Sequence, residues 1–286
     1  MKRILFKTLF MSMAVSLLSM PVYADHHEGN GEVDSAKAAL QALADGAHRS
    51  AEHKARNAHR HPAETLTWFG IQDDMKVVEI SPGSAGWYIE IVAPFVKDKG
   101  QYYAAGPDTE SSVAYIQRSL KGMNEKITGN ADLYGAVTVT ELAPQAGKTT
   151  IAPEGSADMV LTFRNTHNWI SGGYVDDMFA AMYKALKPGG ILGLTQHRQN
   201  PDVAQDPKAD SGYVREDHVI KLAEAAGFTF VDRSDINANS KDTTDYESGV
   251  WTLPPRFRLG DTDRDKYAAI GESDRMTLKF MRPKAE

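Results

Sequence analysis

Beyond Gly70 the chain alternates short apolar runs with amphipathic stretches, the pattern of βαβ units feeding a mostly parallel sheet. Runs at 76–80, 101–105, 137–142, 159–163 and 191–196 read as strands, and two more follow at 228–234 and 277–281. Val113, Ile116 and Leu120 form one helical stripe, and Val175, Phe179, Met182 and Leu186 form another. The second stripe ends at Lys187-Pro188-Gly189-Gly190, a helix stop and turn, and a third helix over 215–226 is closed by Gly227. About 40 residues, 235–274, separate the last two strands, too many for an ordinary connection and so an expected functional insertion. If the last strand returns by a hairpin instead of a crossover helix, the sheet ends antiparallel.

Ahead of this region the pattern differs. Val33, Ala36, Leu40 and Leu43 make a helical stripe in an Ala-, Lys-, Arg- and Glu-rich stretch running to about Arg60, and Pro62 starts a short helix with Leu66 and Phe69 inward. Both helices read as a lid before the core fold. Residues 25–31 are polar, rich in His and Gly, and read as a disordered leader. At the very start, basic Lys2, Arg3 and Lys7 precede an apolar run over 9–22 that ends in Val22-Tyr23-Ala24. That is the form of a secretory signal cut after a small residue, and the run is shorter than the roughly 20 residues of a spanning helix. The expected division is a signal over 1–24, a polar leader and helix over 25–61, and one α/β domain over 62–286 carrying the insertion.

Loss of the signal removes three positive charges and takes the formal net charge from −6 to −9. Nucleic acid and other polyanions are thereby not expected as partners. The chain has no cysteine, which excludes disulfides, thiolate metal ligands and a cysteine nucleophile together.

The segment Val77-Val78-Glu79-Ile80-Ser81-Pro82-Gly83-Ser84-Ala85-Gly86-Trp87-Tyr88 reads as a buried strand, a tight loop of small residues, and a helix running to about Ala93. Glycines there let backbone approach a ligand, the helix start offers free N–H groups, and a strand-end carboxylate can hold the loop or fix hydroxyls. Ser81, Gly83 and Gly86 only imitate the dinucleotide fingerprint. No P-loop, Gly-x-Ser-x-Gly elbow or His-Glu-x-x-His motif is present.

Together with Ala157-Asp158-Met159-Val160-Leu161-Thr162-Phe163 and Leu186-Lys187-Pro188-Gly189-Gly190-Ile191-Leu192, this loop resembles the class I methyltransferases that use S-adenosylmethionine. The segments Arg164-Asn165-Thr166-His167-Asn168-Trp169 and Gly249-Val250-Trp251-Thr252-Leu253-Pro254-Pro255 are similar to a bacterial group of exported predicted methyltransferases. The resemblance implies a Rossmann-like α/β fold: a seven-stranded sheet, mostly parallel with an antiparallel last strand, and helices on both faces. It implies S-adenosylmethionine as cofactor, with Glu79, Ser81, Gly83, Gly86, Asp108 and Asp158 as its contacts. Asp108 would grip the ribose, although it sits late after its strand and could equally cap the following helix.

Methyl transfer from a sulfonium is an in-line displacement, so the protein mainly positions the acceptor and removes its proton where it has one. His167 and His197 follow the fourth and fifth strands, at the edge where open α/β sheets keep their sites, and either could be the base. Arg164 and Arg198 could orient an anionic small-molecule substrate, and Trp169 could face the sulfonium or simply fill the core. The spacing of His48, His53, His59 and His61 does not put pairs on one helix face, so no metal site is expected. Trp251, Phe257, Arg256, Arg258 and Lys241 give the insertion the composition of a lid over a partly apolar, partly anionic acceptor, or of a plain sheet-edge cover. Two functions stay open: methylation of a small molecule or exported substrate, and a non-catalytic exported protein that keeps the pocket for a nucleoside-like or other small ligand. The cofactor is made in the cytoplasm, which sets the second reading against the first.

The signal reading predicts that the secreted protein begins at Asp25. Intact mass spectrometry of the exported form checks it, and a mass retaining the apolar run would mean an anchored protein.

Overall fold

The computed structural model describes residues 28–284. The expected signal over 1–24, and His26 and His27 of the leader, lie outside the described residues. The chain runs through α1 (Glu28–Ala44), α2 (Ala51–Ala55), α3 (Asn57–Arg60), α4 (Pro62–Phe69), β1 (Lys76–Ile80), α5 (Ile89–Val96), β2 (Gln101–Gly106), α6 (Ala114–Thr128), α7 (Ala131–Tyr134) and β3 (Thr138–Glu141). It continues through β4 (Ala157–Phe163), α8 (Thr166–Gly172), α9 (Val175–Ala185), β5 (Leu186–His197), α10 (Glu216–Ala225), β6 (Thr229–Ser234), α11 (Arg264–Ile270) and β7 (Arg275–Met281).

One seven-stranded sheet has the order β3-β2-β1-β4-β5-β7-β6. Every pairing from β3 across to β5 is parallel, and β7 is antiparallel to both its neighbours. Because side chains alternate along a strand, Val77 and Val78 of β1 point into different cores. On one face Val78, Val160, Leu192 and Leu194 pack with Phe179, Met182 and Val219 of α9 and α10. On the other face Val77, Tyr102 and Leu161 pack with Leu66, Phe69 and Ile91 of α4 and α5. Both cores are fully enclosed, as a sheet covered on both faces requires.

The N-terminal helices belong to that second layer and do not form a lid. Leu40 and Ala44 of α1 are fully buried in the same cluster as Phe69 and Ile91. The single helix read from 33 to 60 is broken after Ala44, and Ser50 caps a new start by accepting from the His53 N–H at 3.2 Å. Helix α1 begins at Glu28, within the expected leader, since extending a nucleated helix backwards costs little. Val33 and Val113 are exposed, so the inward stripes are Ala36, Leu40 and Ala44 on α1, and Leu120 and Met123 on α6. The Lys187-Pro188-Gly189-Gly190 turn lies inside the long β5, where Gly189 takes φ 81° and its N–H donates to the Arg282 carbonyl.

Phe69 lies flat on β5 because position 193 is glycine: a Cβ there would come within 2.7 Å of the Phe69 ring. Gly193→Val should therefore force the ring out of its site and cost about 1–3 kcal/mol. Urea unfolding of the variant beside wild type measures this.

Candidate functional site

The loop after β1 departs from ordinary backbone at three points, Ser81 at φ 53°, Gly83 at 74° and Gly86 at 54°. Ser81 is anchored by its N–H, which donates to the Ala105 carbonyl at 2.8 Å and so extends the β1–β2 ladder by one bond. A Cβ on Gly83 would meet nothing within 4 Å, so the loop presents bare backbone to open space there. The two residues that follow the loop hold it down. Tyr88 stacks on Phe163 with ring centroids 3.6 Å apart, and the Trp87 indole lies between the guanidinium groups of Arg49 and Arg60 at 4.6 and 4.5 Å.

Under this loop Glu79 is buried and accepts from the Tyr102 hydroxyl. Burial pushes its carboxyl up to about 7, against the pull of that hydrogen bond and of Arg164 and Arg60. Asp108 follows β2 and is not a helix cap, since α6 starts only at Ala114 after Val113. Its Oδ1 accepts from Lys148 Nζ at 2.6 Å and from the Glu110 N–H at 3.0 Å, and Lys148 holds its pKa below the ordinary carboxylate value.

His167, His197 and Arg164 come together at the carboxyl edge of β4 and β5. The imidazole rings stand 5.6 Å apart, with Trp251 of the insertion 5.9 Å from His167 and Tyr213 6.2 Å from His197. Burial lowers His167 to about 4, with Arg164 adding to the effect, and pushes His197 well below its usual value. Both are therefore neutral at pH 7. Gln196 Nε2 donates to the Gly212 carbonyl at 2.9 Å, which sets its amide, and lies 3.2 Å from His167 Nδ1. Gln196 Oε1 lies 3.4 Å from the same Nδ1, and the shorter Nε2 contact favours the tautomer with the His167 proton on Nε2. His197 Nδ1 is 2.5 Å from the Ser273 hydroxyl. Arg164 takes φ 64° directly after Phe163, and among the described residues its guanidinium has no hydrogen-bond or ion-pair partner.

Two sequence expectations fail on geometry, and a third is decided between its two alternatives. Asp158 lies at the amino end of β4, the edge opposite the loop, where it accepts from the Lys76 N–H at 2.7 Å and pairs with Lys187. It is too far round the sheet to serve a cofactor over Gly83. Arg198 is committed to both oxygens of Asp274 at 2.8 and 3.0 Å and to Asp235 at 2.8 Å, so it is not available to a substrate. Trp169 is core filler, packed edge-on against Phe179. His53 and His48 turn to Glu90, at 2.8 Å through its carboxylate and 2.9 Å through its carbonyl.

Residues that sequence reading missed include Glu272, which pairs with Arg56 at 2.5 Å, Arg60 at 3.5 Å and Arg275. Burial works against its charge, but the three arginines outweigh that and hold it far below the carboxylate range. Its one local signal is the charge-dense Glu272-Ser273-Asp274-Arg275 run ahead of the last strand.

Comparison with protein-family models gives no match, and comparison with curated protein sequences gives none either. Solved structures do match. One is a SAM-dependent methyltransferase from Aquifex aeolicus, at 15% identity and a TM-score of 0.50 over 86% of this chain and 98% of that one. Another is the [4+2]-cyclase SpnF, at 15% identity and a TM-score of 0.51 over 90% of this chain and 95% of that one. With a seven-stranded sheet that is parallel up to β5 and antiparallel at β7, the chain has the Rossmann-like fold of the class I S-adenosylmethionine-dependent methyltransferases.

Proposed function

We propose that this protein transfers a methyl group from S-adenosylmethionine to a small-molecule acceptor at the carboxyl edge of β4 and β5. The observation that carries the proposal is the β1 loop, whose Gly83 presents bare backbone to open space at the switch-point side of the sheet. When bound, the cofactor supplies an electrophilic methyl on a sulfonium. Ser81, Gly83 and Gly86 would hold it through backbone, and Asp108 would take the ribose through Oδ2, since its described contacts use Oδ1. Glu79 serves the loop from beneath through Tyr102.

On the acceptor side, a histidine held near 4 is a weak base at neutral pH but a steady hydrogen-bonding group. His167 donates from Nε2 and orients the acceptor, His197 stands behind it, and Trp251 excludes water from above. We also infer an exported protein from the basic start and the apolar run ending at Ala24. Among the described residues no helix is long and apolar enough to cross a membrane.

Calorimetry with S-adenosylmethionine and S-adenosylhomocysteine tests the cofactor assignment. Gly83→Val, which puts a side chain on the open face, should weaken binding at least ~100-fold, equivalent to about 3 kcal/mol. Unchanged affinity in a folded variant would remove the loop from the site, and no binding of either compound by wild type would remove the reaction.

For His167→Ala the Michaelis constant should rise about tenfold or more while turnover falls less, the mark of lost positioning. Because protonation of His167 begins only as pH nears 4, the ratio of the wild-type rate to the His167→Ala rate should stay level from pH 8 to about 5 and drop below that, whatever Glu79 contributes to both as it titrates near 7. A ratio that already falls on the acidic side of pH 7 would mean that His167 titrates as a base of ordinary pKa and would reverse this assignment.

A further inference from the structure

Four arginines lie close enough on the acceptor side to lower one another's charge: Arg56 between α2 and α3, Arg60 at the end of α3, Arg164 after β4, and Arg275 at the start of β7, paired in register with His197. Among the described residues Glu272 is the one carboxylate that pairs with any of them. Glu79 does not offset the rest, being engaged with Tyr102 and held near neutrality by burial. Three positive charges are left over. Arg60 and Arg275 are only 3% and 4% exposed, and Arg60 Nη1, Arg275 Nε and Arg56 Nη2 are buried without a hydrogen-bond partner. Buried guanidinium groups with idle donors are costly, because their hydration is lost and nothing replaces it. The arginines disfavour one another's charge: Arg164 is pushed down to about 10 by burial and by Arg275.

A bound anion would relieve that cost by meeting the idle donors and offsetting the excess charge. Guanidinium forks match carboxylate and phosphoryl oxygens two at a time. Arg56 and Arg164 are only partly buried, so these two members of the cluster reach solvent. We propose that this cluster binds a small polyanion bearing at least two carboxylate or phosphoryl charges, and that this polyanion is the methyl acceptor. The second half rests on the methyl-transfer reading; the first does not. Arg164, the guanidinium without a described partner, is the group the ligand would engage first, while Arg60 and Arg275 would satisfy their idle donors on it.

The test titrates citrate, and separately inorganic phosphate, into the purified full chain with and without saturating S-adenosylhomocysteine. Wild type should bind at least one of them. Arg164→Met should weaken that binding at least ~10-fold, about 1.4 kcal/mol, with Arg164→Lys intermediate and S-adenosylhomocysteine affinity within threefold of wild type. Because it removes an unbalanced buried charge, Arg164→Met without anion should melt no lower than wild type, which separates lost binding from lost folding. Absence of binding of both probes up to about 10 mM, or equal binding by wild type and Arg164→Met, would overturn the site. Loss of S-adenosylhomocysteine affinity in Arg164→Met with polyanion binding intact would overturn it too, by giving the guanidinium to the cofactor. Polyanion binding that depends on Arg164 in a protein that never binds S-adenosylhomocysteine would uphold the site and end the methyl-transfer reading instead.

Discussion

The carboxylate of Glu272 is the point on which the carboxyl edge of this sheet depends. It is 3% exposed, and it gathers Arg56 and Arg60 from the N-terminal helices and Arg275 from the last strand. Removing one partner of a buried ion pair strands the other in low dielectric, a loss of about 3–5 kcal/mol. Here one acid stands against several cations, so the same contact that joins the two ends of the chain also sets a strongly positive potential beside Arg164. The two roles cannot be separated by position: the residues that tie the first helices to β7 are those that face the candidate acceptor.

A second buried carboxylate does similar work on the other side of the loop. Glu90 in the first turn of α5 accepts from Arg49 at 3.0 Å, His53 at 2.8 Å and Lys126, and these contacts overcome burial to bring it down to about 2. Arg49 and Arg60 in turn sandwich Trp87, the residue after Gly86. The glycine loop is thus held at its start by the Ser81 N–H bond to Ala105 and at its end by the rings of Trp87 and Tyr88, while Gly83 in its middle stays bare. A rigid frame around unobstructed backbone is what a loop needs if it is to meet a ligand without paying for reorganisation.

The fold alone leaves the reaction open, since a methyltransferase and a [4+2]-cyclase match this chain equally well. What distinguishes it is local chemistry. Two neutral, buried histidines and an arginine without a partner among the described residues share one edge, covered by an insertion whose Trp251 and Ser273 each meet one of the histidines. Such an edge can orient and desolvate an anionic acceptor while offering little general-base strength at neutral pH.

Local order was legible in the sequence because its causes are local. The period-2 and period-3.6 patterns located all seven strands and the longer helices between them, though not the short α7, α8 and α11, and the small residues from Ser81 to Gly86 marked the loop because backbone freedom is a property of the residues themselves. Position along a strand also placed His167, His197 and Arg164 at the carboxyl edge. The same reasoning failed for Asp158 and Arg198, whose partners Lys76 and Asp274 are about 80 residues away in the chain and adjacent only once the sheet has formed. It failed as well for Arg60 and Glu272, more than 200 residues apart, which read as ordinary surface charges until folding removes their water. Hydrophobic periodicity says which face of an element is buried, and so determines the layers. Which charges meet inside those layers is decided by long-range packing, because a charge is costly or useful only according to what is left beside it when the solvent is gone.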